Sequence, residues 1–367
     1  MLNRIPRVLK LLKKLNYDAL AINASADLTY LTGLKFHLSE RPVILLITPS
    51  KQPAIIFPRL EMEKVKNYPL ELSLYPYEEE KTQWLTAVRK ATIELELTDK
   101  MIAVNPNTFR FLETDLLISA LPFKFVSGEE IFTNLRLIKD ETEIDLIEKA
   151  VKIAERALIN TLPRVKVGTT ENEIASELVM QLFRAGSDPE LPFMPIVASG
   201  PNSANPHTFP SERAFQMNDL IIIDWGARIN EYISDLTRTF YLGQPDNETI
   251  DIAKTVEQAN TKAREVIRPQ ITAHEVDQTA RNVIHNAGYG EYFIHRTGHG
   301  IGMEVHEEPY IQAGNHLQLE PGMVFTVEPG IYIPGKGGVR IEDNVAVTPK
   351  GCKVLSTLPR ELHIIYE

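Results

Sequence analysis

Cysteine is almost missing from this chain. Its 367 residues hold one, Cys352, which excludes an intramolecular disulfide and a thiolate zinc site. Long apolar runs are missing too. No stretch reaches 18 apolar residues, and the opening Met1-Leu-Asn-Arg-Ile-Pro-Arg7 leads into an amphipathic pattern without the apolar core of a signal peptide. A cytoplasmic protein is expected. There is no excess of positive charge: 39 Lys and Arg face 49 Asp and Glu, a formal net charge of -10. That balance argues against nucleic acid and against an anionic membrane as partners. No His-Glu-x-x-His helix occurs, and the first 127 residues carry no glycine-rich phosphate loop. Cys352 follows a Pro-Lys-Gly turn with no histidine close in sequence, so a nucleophilic thiol has no support. By elimination, any hydrolytic chemistry falls to metal-activated water.

What remains is an ordinary globular composition, 43% hydrophobic and 24% charged, in a chain long enough for two domains. Ile5, Val8, Leu12 and Leu15 recur at helical spacing. Apolar runs at 19–22, 43–47, 54–57, 70–75 and 101–104 then alternate with helical candidates near 61–65, 82–91 and 108–116. This predicts a small α/β domain over 1–127 with a mixed sheet. Tyr30-Leu-Thr-Gly33 reads as a strand running into a turn. His37 and Arg41 lie in a polar loop that can reach a neighbouring subunit's site. Residues 128–139 read as a linker. Asp140 and Glu143 form a capping box that opens a second domain, 140–367, with a long helix to about Asn160.

That second domain repeats itself. Thr170 with Glu173, and Thr272 with Glu275, are capping boxes 102 residues apart. The helices they open end at Ala185-Gly186 and Ala287-Gly288, at the same offset. Each is preceded by another helix, near 141–160 and 247–267, and followed by a histidine-bearing stretch and an acidic β-hairpin. Two such halves predict a pseudo-twofold α+β arrangement, with the hairpins side by side in one sheet, helices outside, and a site at the join.

The hairpins carry the chemistry. Folding 219–240 about Ile229 and Asn230 puts Asp224 opposite Asp235. Folding 322–347 about Gly335 puts Glu328 opposite Glu342. Like charges facing across a ladder are destabilising, and both pairs sit among apolar residues, where unpaired charge is costly. Cations resolve both problems. Four carboxylates and a histidine suit two hard or borderline divalent ions.

His299 lies in Gly298-His-Gly-Ile-Gly302, where flanking glycines leave the ring uncrowded for a metal. His306, among Glu304-Val-His-Glu-Glu-Pro309, is a candidate donor to a substrate carbonyl or oxyanion. His207, in a Gly/Pro/Asn loop, is a candidate binding group. Arg340 shares a strand face with Glu342 and is placed either to hold that carboxylate or to meet a substrate carboxylate. Thr237 shares Asp235's face and is a candidate hydrogen-bond donor behind the ligands. Arg238 carries less weight.

Asp224, Asp235, His299 in Gly-His-Gly-Ile-Gly, Glu328 in Thr-Val-Glu-Pro-Gly and Glu342 in Arg-Ile-Glu-Asp-Asn together resemble the pita-bread metallopeptidases, peptidase family M24. The N-terminal domain is similar to that of the creatinase, prolidase and aminopeptidase P branch. The resemblance implies a dinuclear centre of manganese or cobalt, with zinc as a further option. In it, Asp235 and Glu342 bridge the ions, Asp224 chelates one, and His299 and Glu328 hold the other. It implies cleavage of Xaa-Pro bonds in small peptides with proline second. Glu328 is then also the proton shuttle, and His207 and His306 are substrate histidines. It further implies a homodimer. Xaa-Pro dipeptidase (prolidase) is the leading expectation, aminopeptidase P on longer peptides the alternative, and a non-catalytic binding module of the same fold a remote third. Two positions depart from the pattern. Tyr310 stands where some archaeal prolidases carry an arginine for the dipeptide carboxylate. Trp225 replaces a more usual Phe or Leu beside Asp224 and is expected to narrow the pocket.

Overall fold

The structure is a computed structural model that describes residues 4–66 and 68–366. The chain forms two compact units, Met1–Arg136 and Leu137–Glu367.

In the first unit the helices are α1 (Ile5–Leu15), α2 (Ala26–Thr32), α3 (Met62–Lys66), α4 (Lys81–Glu94), α5 (Phe111–Ala120) and α6 (Glu129–Arg136). The strands are β1 (Ala19–Asn23), β2 (Ile44–Ile47), β3 (Ala54–Pro58), β4 (Ser73–Tyr77), β5 (Met101–Val104) and β6 (Lys124–Ser127). They form one mixed sheet in the order β4-β3-β2-β1-β5-β6. Strands β1, β2 and β3 are buried along their whole length, which explains continuous apolar runs in place of alternation. Tyr30-Leu-Thr-Gly33 is not a strand. It is the end of α2, closed by Gly33 at φ 76, a left-handed cap that glycine adopts without steric cost. The segment read as a linker contains α6, whose Ile131, Phe132 and Leu135 are buried.

In the second unit, α7 (Glu141–Thr161) and α8 (Glu171–Ala185) precede β7 (Ile196–Ser199), β8 (Leu220–Trp225), β9 (Arg228–Ile229), β10 (Tyr232–Ile233) and β11 (Leu236–Leu242). Then α9 (Asn247–Val266) and α10 (Ala273–Asn286) precede β12 (Gly298–Gly300), β13 (Glu307–Ile311), β14 (Val324–Val327), β15 (Gly330–Ile333), β16 (Gly337–Arg340), β17 (Asp343–Thr348), β18 (Gly351–Val354) and β19 (His363–Ile365). All three expected capping boxes are present, at Asp140, Thr170 and Thr272. Each satisfies two orphan backbone donors. Both repeat caps also bridge a strand-like segment, Thr170 to Ala214 and Thr272 to Gln318. The apolar stripes of α9 and α10, including Val256, Ala259, Val276 and Ile284, share a core with Phe325, Val327 and Val345 of β14 and β17.

The halves join at a bridge between Thr237 and Glu342. On either side of it, each half holds the other's backbone. Thr239 Oγ1 donates to the Arg340 carbonyl at 2.9 Å and accepts from the Arg340 amide at 3.1 Å. Asn344 Nδ2 donates to the Asp235 carbonyl at 2.6 Å, and its Oδ1 accepts from the Asp235 amide at 3.1 Å. These reciprocal clamps make Thr237 the counterpart of Glu342, and Asp235 the counterpart of Arg340. Following the ladders outward, Asp224 pairs with Thr237 and with Ile196. Glu328 stands in the same place, and its backbone amide donates to the Thr297 carbonyl at 2.7 Å. Asp224 therefore corresponds to Glu328, and Ala198 to His299.

One register differs from expectation. The first hairpin turns at Asn230 and Glu231, with φ 49 and 74, so Tyr232 pairs with Ile229 and Thr237 with Asp224. A turn on Ile229 would force a β-branched residue to positive φ. Asp235 is therefore the diagonal, same-face neighbour of Asp224 and does not lie directly opposite it. The second hairpin has the expected register, with Val327 on Asp343 and Gly330 on Arg340. Its turn has Pro334 followed by Gly335 at φ 79, and Lys336 N donates to Ile333 O at 3.0 Å, the pattern of a type II turn.

Candidate metal centre

Strand alternation sends Asp224 and Trp225 to opposite faces of β8. Trp225 is fully buried toward the helices, where its Nε1 donates to the Ala154 carbonyl of α7 at 2.8 Å. It does not narrow the pocket. Asp224 turns to the other face, where it binds Arg340 and acts electrostatically on Asp235, Glu328 and Glu342.

His299 enters through β12. A Cβ on Gly298 would lie 1.9 Å from the Thr326 carbonyl oxygen, and one on Gly300 would lie 2.2 Å from that of Glu308. Neighbouring strands press on both sides, so both positions must be glycine, and the ring gains its place from that close approach. His299 Nδ1 faces the Gly300 carbonyl at 3.1 Å. A carbonyl can only accept, so Nδ1 carries the proton and Nε2 bears the lone pair. Nε2 lies 3.7 Å from Asp235 Oδ2 and 3.4 Å from Glu328 Oε1. Burial pushes the His299 pKa down to about 3, so the ring is neutral. Donor atoms of Asp235, His299 and Glu342 lie within 4.8 Å of one another, all buried.

Such a cluster is electrostatically incomplete by itself. Burial first, then Glu342, Asp224 and Glu328, hold Asp235 well above the usual carboxyl range. Glu342 is raised likewise, by burial and by Glu328 and Asp224. Burial pushes Glu328 up to about 7 against the pull of Arg340. Asp224 Oδ1 and Glu342 Oε1 are buried and have no hydrogen-bond partner. Orphaned carboxylate oxygens beside an imidazole lone pair are the donor set of a cation site. The cluster Asp235, His299 and Glu342 marks a metal site, and the residues present fit a divalent ion.

Arg340 lines the wall of this site. Its Nη2 binds Asp224 Oδ2 at 2.5 Å, Nε binds Thr237 Oγ1 at 3.0 Å, and Nη1 reaches Tyr332 OH at 2.9 Å and the Pro206 carbonyl at 3.4 Å. Four of its five N–H directions are taken, so the guanidinium orders Asp224 and has little left for a substrate. Thr237 Oγ1 passes the proton side of its hydroxyl to Glu342 Oε2 at 2.8 Å; it serves Glu342 and not Asp235. Arg238 is turned away, onto Asp343 at 2.9 Å and the Glu342 carbonyl at 2.7 Å. His306 lies edge-on to His299, ring centroids 4.4 Å apart. Burial, Arg296 and His207 lower its pKa. Its loop is fixed by Glu307, which accepts from the Met303 and Glu304 amides and pairs with Lys139 at 3.1 Å. His207 is exposed in the loop after β7. Tyr310 is half-buried on β13 beneath Arg296.

The sequence reading missed His295, Tyr332, Thr239, Asn344 and Arg296. His295 Nδ1 donates to the Arg296 carbonyl at 2.7 Å, so its Nε2 accepts from Tyr332 OH at 2.9 Å, and Tyr332 in turn supports Arg340. Asn344 follows Glu342 and Asp343, two residues from a member of the metal cluster, and its residue type is the one signal in the sequence.

Residues 145–349 match the model of Metallopeptidase family M24, and residues 4–138 that of the Creatinase/Prolidase N-terminal domain. The chain belongs to metallopeptidase family M24. Its second unit has the pita-bread fold of that family. The chain is 37% identical over 353 residues to the probable dipeptidase PepE of Mycobacterium tuberculosis, covering 94% of this chain and 92% of that one. It superposes with a TM-score of 0.93 on a dipeptidase structure from Pyrococcus horikoshii OT3, 38% identical, covering 99% and 100%. An X-Pro aminopeptidase from Thermotoga maritima gives 0.87 at 32% identity, covering 99% and 100%. As an M24 member with this cluster, the protein is a metal-dependent peptidase. Among the described residues, no helix is long and apolar enough to cross a membrane.

Proposed function

We propose that the protein is an Xaa-Pro dipeptidase whose catalysis resides in residues 140–367, preceded by an accessory domain over 1–127. Asp224, Asp235, His299, Glu328 and Glu342 would hold two divalent ions, manganese or cobalt first and zinc third. The observation that carries this is the neutral His299 Nε2 lone pair aimed at buried carboxylates, two of whose neighbours' oxygens lack any partner. Charge supports the pair over a single ion. Four carboxylates against one guanidinium leave three negative charges, which one divalent ion cannot cover and two can.

When bound, the ions polarise the scissile carbonyl and generate a nucleophile from water at neutral pH. The chain's own groups do the rest. His306 and His207 donate to the carbonyl oxygen as negative charge builds there. Glu328 carries a proton to the proline nitrogen, which lacks an N–H in the peptide and must gain one to leave. Arg340 fixes Asp224 through that exchange. Thr237 fixes Glu342.

The test is hydrolysis by metal-stripped protein reloaded with manganese, cobalt or zinc. A Xaa-Pro dipeptide and a Xaa-Pro-Xaa tripeptide are compared. Cleavage of the dipeptide supports the reading. Preference for the tripeptide supports the aminopeptidase reading, which a half-buried Tyr310 in place of a cation favours. Silence on both with every metal sinks the activity. We also propose a cytoplasmic homodimer in which the loop of His37 and Arg41 approaches the partner's site; light scattering of the purified protein tests the dimer.

A further inference from the structure

Arg296 stands apart from the other shielded arginines of the second unit. Arg340 is anchored on Asp224, Arg281 on Asp277, Arg238 and Arg264 on Asp343, and Arg213 on Asp219. Arg296 has no such anchor among the described residues. It is half-buried, and its guanidinium lies over the Tyr310 ring with the central carbon 4.5 Å from the ring centroid. The Glu308 carboxylate, on the same strand as Tyr310, accepts from the Tyr310 amide at 2.9 Å. A ring face stabilises a cation and sets its plane but does not neutralise it, and leaves its N–H fork open.

The position of this cation is specific. Arg296 is three residues before His299 and its ring partner is four after His306, and those two histidines are in ring contact. Its charge helps to lower both histidines and opposes the rise of Glu328. The guanidinium therefore lies within electrostatic range of the metal centre. An Xaa-Pro dipeptide ends one residue past its scissile bond, so its carboxylate lies about 4–5 Å from the scissile carbonyl. A longer peptide presents a neutral amide at that point.

We propose that Arg296, laid flat on Tyr310, receives the free C-terminal carboxylate of the substrate and makes the enzyme a dipeptidase. This rests on the Xaa-Pro reading above and chooses between its two branches. A planar fork matches a carboxylate with two parallel hydrogen bonds. A half-buried cation without an anion disfavours substrates that bring only an amide. Tyr310 is then a positioning residue, and Arg296 a specificity residue.

The experiment uses the metal-loaded full chain with three substrates: a Xaa-Pro dipeptide, its C-terminal amide, and a Xaa-Pro-Xaa tripeptide. Wild type is expected to favour the dipeptide over the amide by about 10- to 100-fold in kcat/KM, the range of a charged hydrogen-bond pair. Arg296→Met, which keeps the stem over the ring, is expected to abolish the preference and bring the dipeptide-to-amide ratio of kcat/KM to about 1. Arg296→Lys is expected to recover part of it. Tyr310→Leu should weaken the dipeptide only, by raising KM. Calorimetry gives a readout independent of turnover: free proline should bind wild type more tightly than prolinamide, and Arg296→Met should bind both alike. Equal loss on all three substrates, or a wild type indifferent to the amide, overturns the clamp while leaving the Xaa-Pro activity intact. A wild type inert toward all three overturns the Xaa-Pro reading itself, and the clamp with it.

Discussion

On their outer layer, the two halves of the catalytic unit use the same devices at the same offset. α8 and α10 each open on a threonine–glutamate capping box, and the capping threonines bridge the segments that lead into β8 and β14. On the inner face the counterparts diverge. Ala198 stands where the second half has His299, Asp235 where it has Arg340, and Thr237 where it has Glu342; only Asp224 and Glu328 keep the same kind of group. The symmetric frame places positions, and the chemistry comes from breaking the symmetry at them. A fully symmetric version of the second half would bring two histidines but lose Asp235, and would face two buried guanidiniums across the join. A symmetric version of the first would have four aspartates, no imidazole and no Arg340 to order them. Neither half holds the whole cluster: Asp235 comes from the first, His299 and Glu342 from the second.

Making the second half resemble the first at one point is the strongest test. His299→Ala matches Ala198 and removes the neutral Nε2 donor. Loss of partners behind metal ligands already costs about 10- to 100-fold in affinity or activity, so this variant should lose more than about 100-fold in both. Metal content after dialysis and kcat/KM on a Xaa-Pro dipeptide report it. Retained metal with full activity would remove His299 from the centre.

The reciprocal clamps sharpen the comparison. Asn344→Ala leaves the buried Asp235 amide and carbonyl unpaired; Thr239→Val does the same to Arg340. Each unsatisfied group costs about 1–3 kcal/mol, so each variant should lower Tm by several degrees, at about 2–4 °C per kcal/mol for a domain of this size. Symmetry predicts similar losses of stability. Function should split them. Asn344→Ala moves a ligand and should weaken metal binding by about tenfold, by analogy with other groups that orient ligands, whereas Thr239→Val moves the residue behind one. Equal metal titrations for the two would mean that the asymmetry is not in the clamps.

Metal removal gives a smaller effect with a defined sign. Without ions, Glu328, Asp235 and Glu342 have folded pKa values raised above those of free carboxyls. Their stabilising contribution is present at low pH and is lost as pH rises through the folded pKa. His295 and His299 are shifted the other way, both to about 3, and lose their contribution as pH falls below about 6.5, the value in the unfolded chain. Above pH about 6.5 these histidines are neutral in both states and drop out. Metal-free protein should therefore melt lower at pH 8.5 than at pH 6.5. Metal-saturated protein should show the reverse trend or none, because ions compete with protons for the same atoms. Thermal scans at the two pH values, with and without manganese, decide it.

How much of this was legible beforehand differed between layers. The helices and their caps were readable because a capping box is a local device with fixed spacing. The second hairpin was readable because Pro334-Gly335 names its own turn. The first was misplaced by one position in its turn because Asn230-Glu231 carries a weaker signal, and the steric exclusion of Ile229 from positive φ was the stronger constraint. Trp225 was assigned to the wrong face although strand alternation opposes it to Asp224. The proposed ligand residues stand out by type and motif. Arg340's partners do not, since Tyr332 and His295 meet it only through a register and a backbone carbonyl. Arg296 was invisible for a further reason: its meaning lies in the carboxylate it lacks, and a missing ion pair has no sequence signature.

The capping boxes give the smallest effect and the cleanest control. Thr170→Ala and Thr272→Ala each delete one side-chain acceptor at a helix start, with a cost of about 1 kcal/mol. At Thr272 the hydroxyl also donates to Glu275 at 2.6 Å, so its loss should be the larger by a few tenths of a kcal/mol, within the range of a weak exposed hydrogen bond. Both variants should melt about 2–4 °C lower than wild type and keep wild-type kcat/KM and metal content. The helices carry the symmetric part of the molecule, and damage to that part should be felt equally on both sides and only as stability. If one of the two altered metal binding, the outer layer would be tuning the centre through its own half, and the separation of frame from chemistry would fail at that helix.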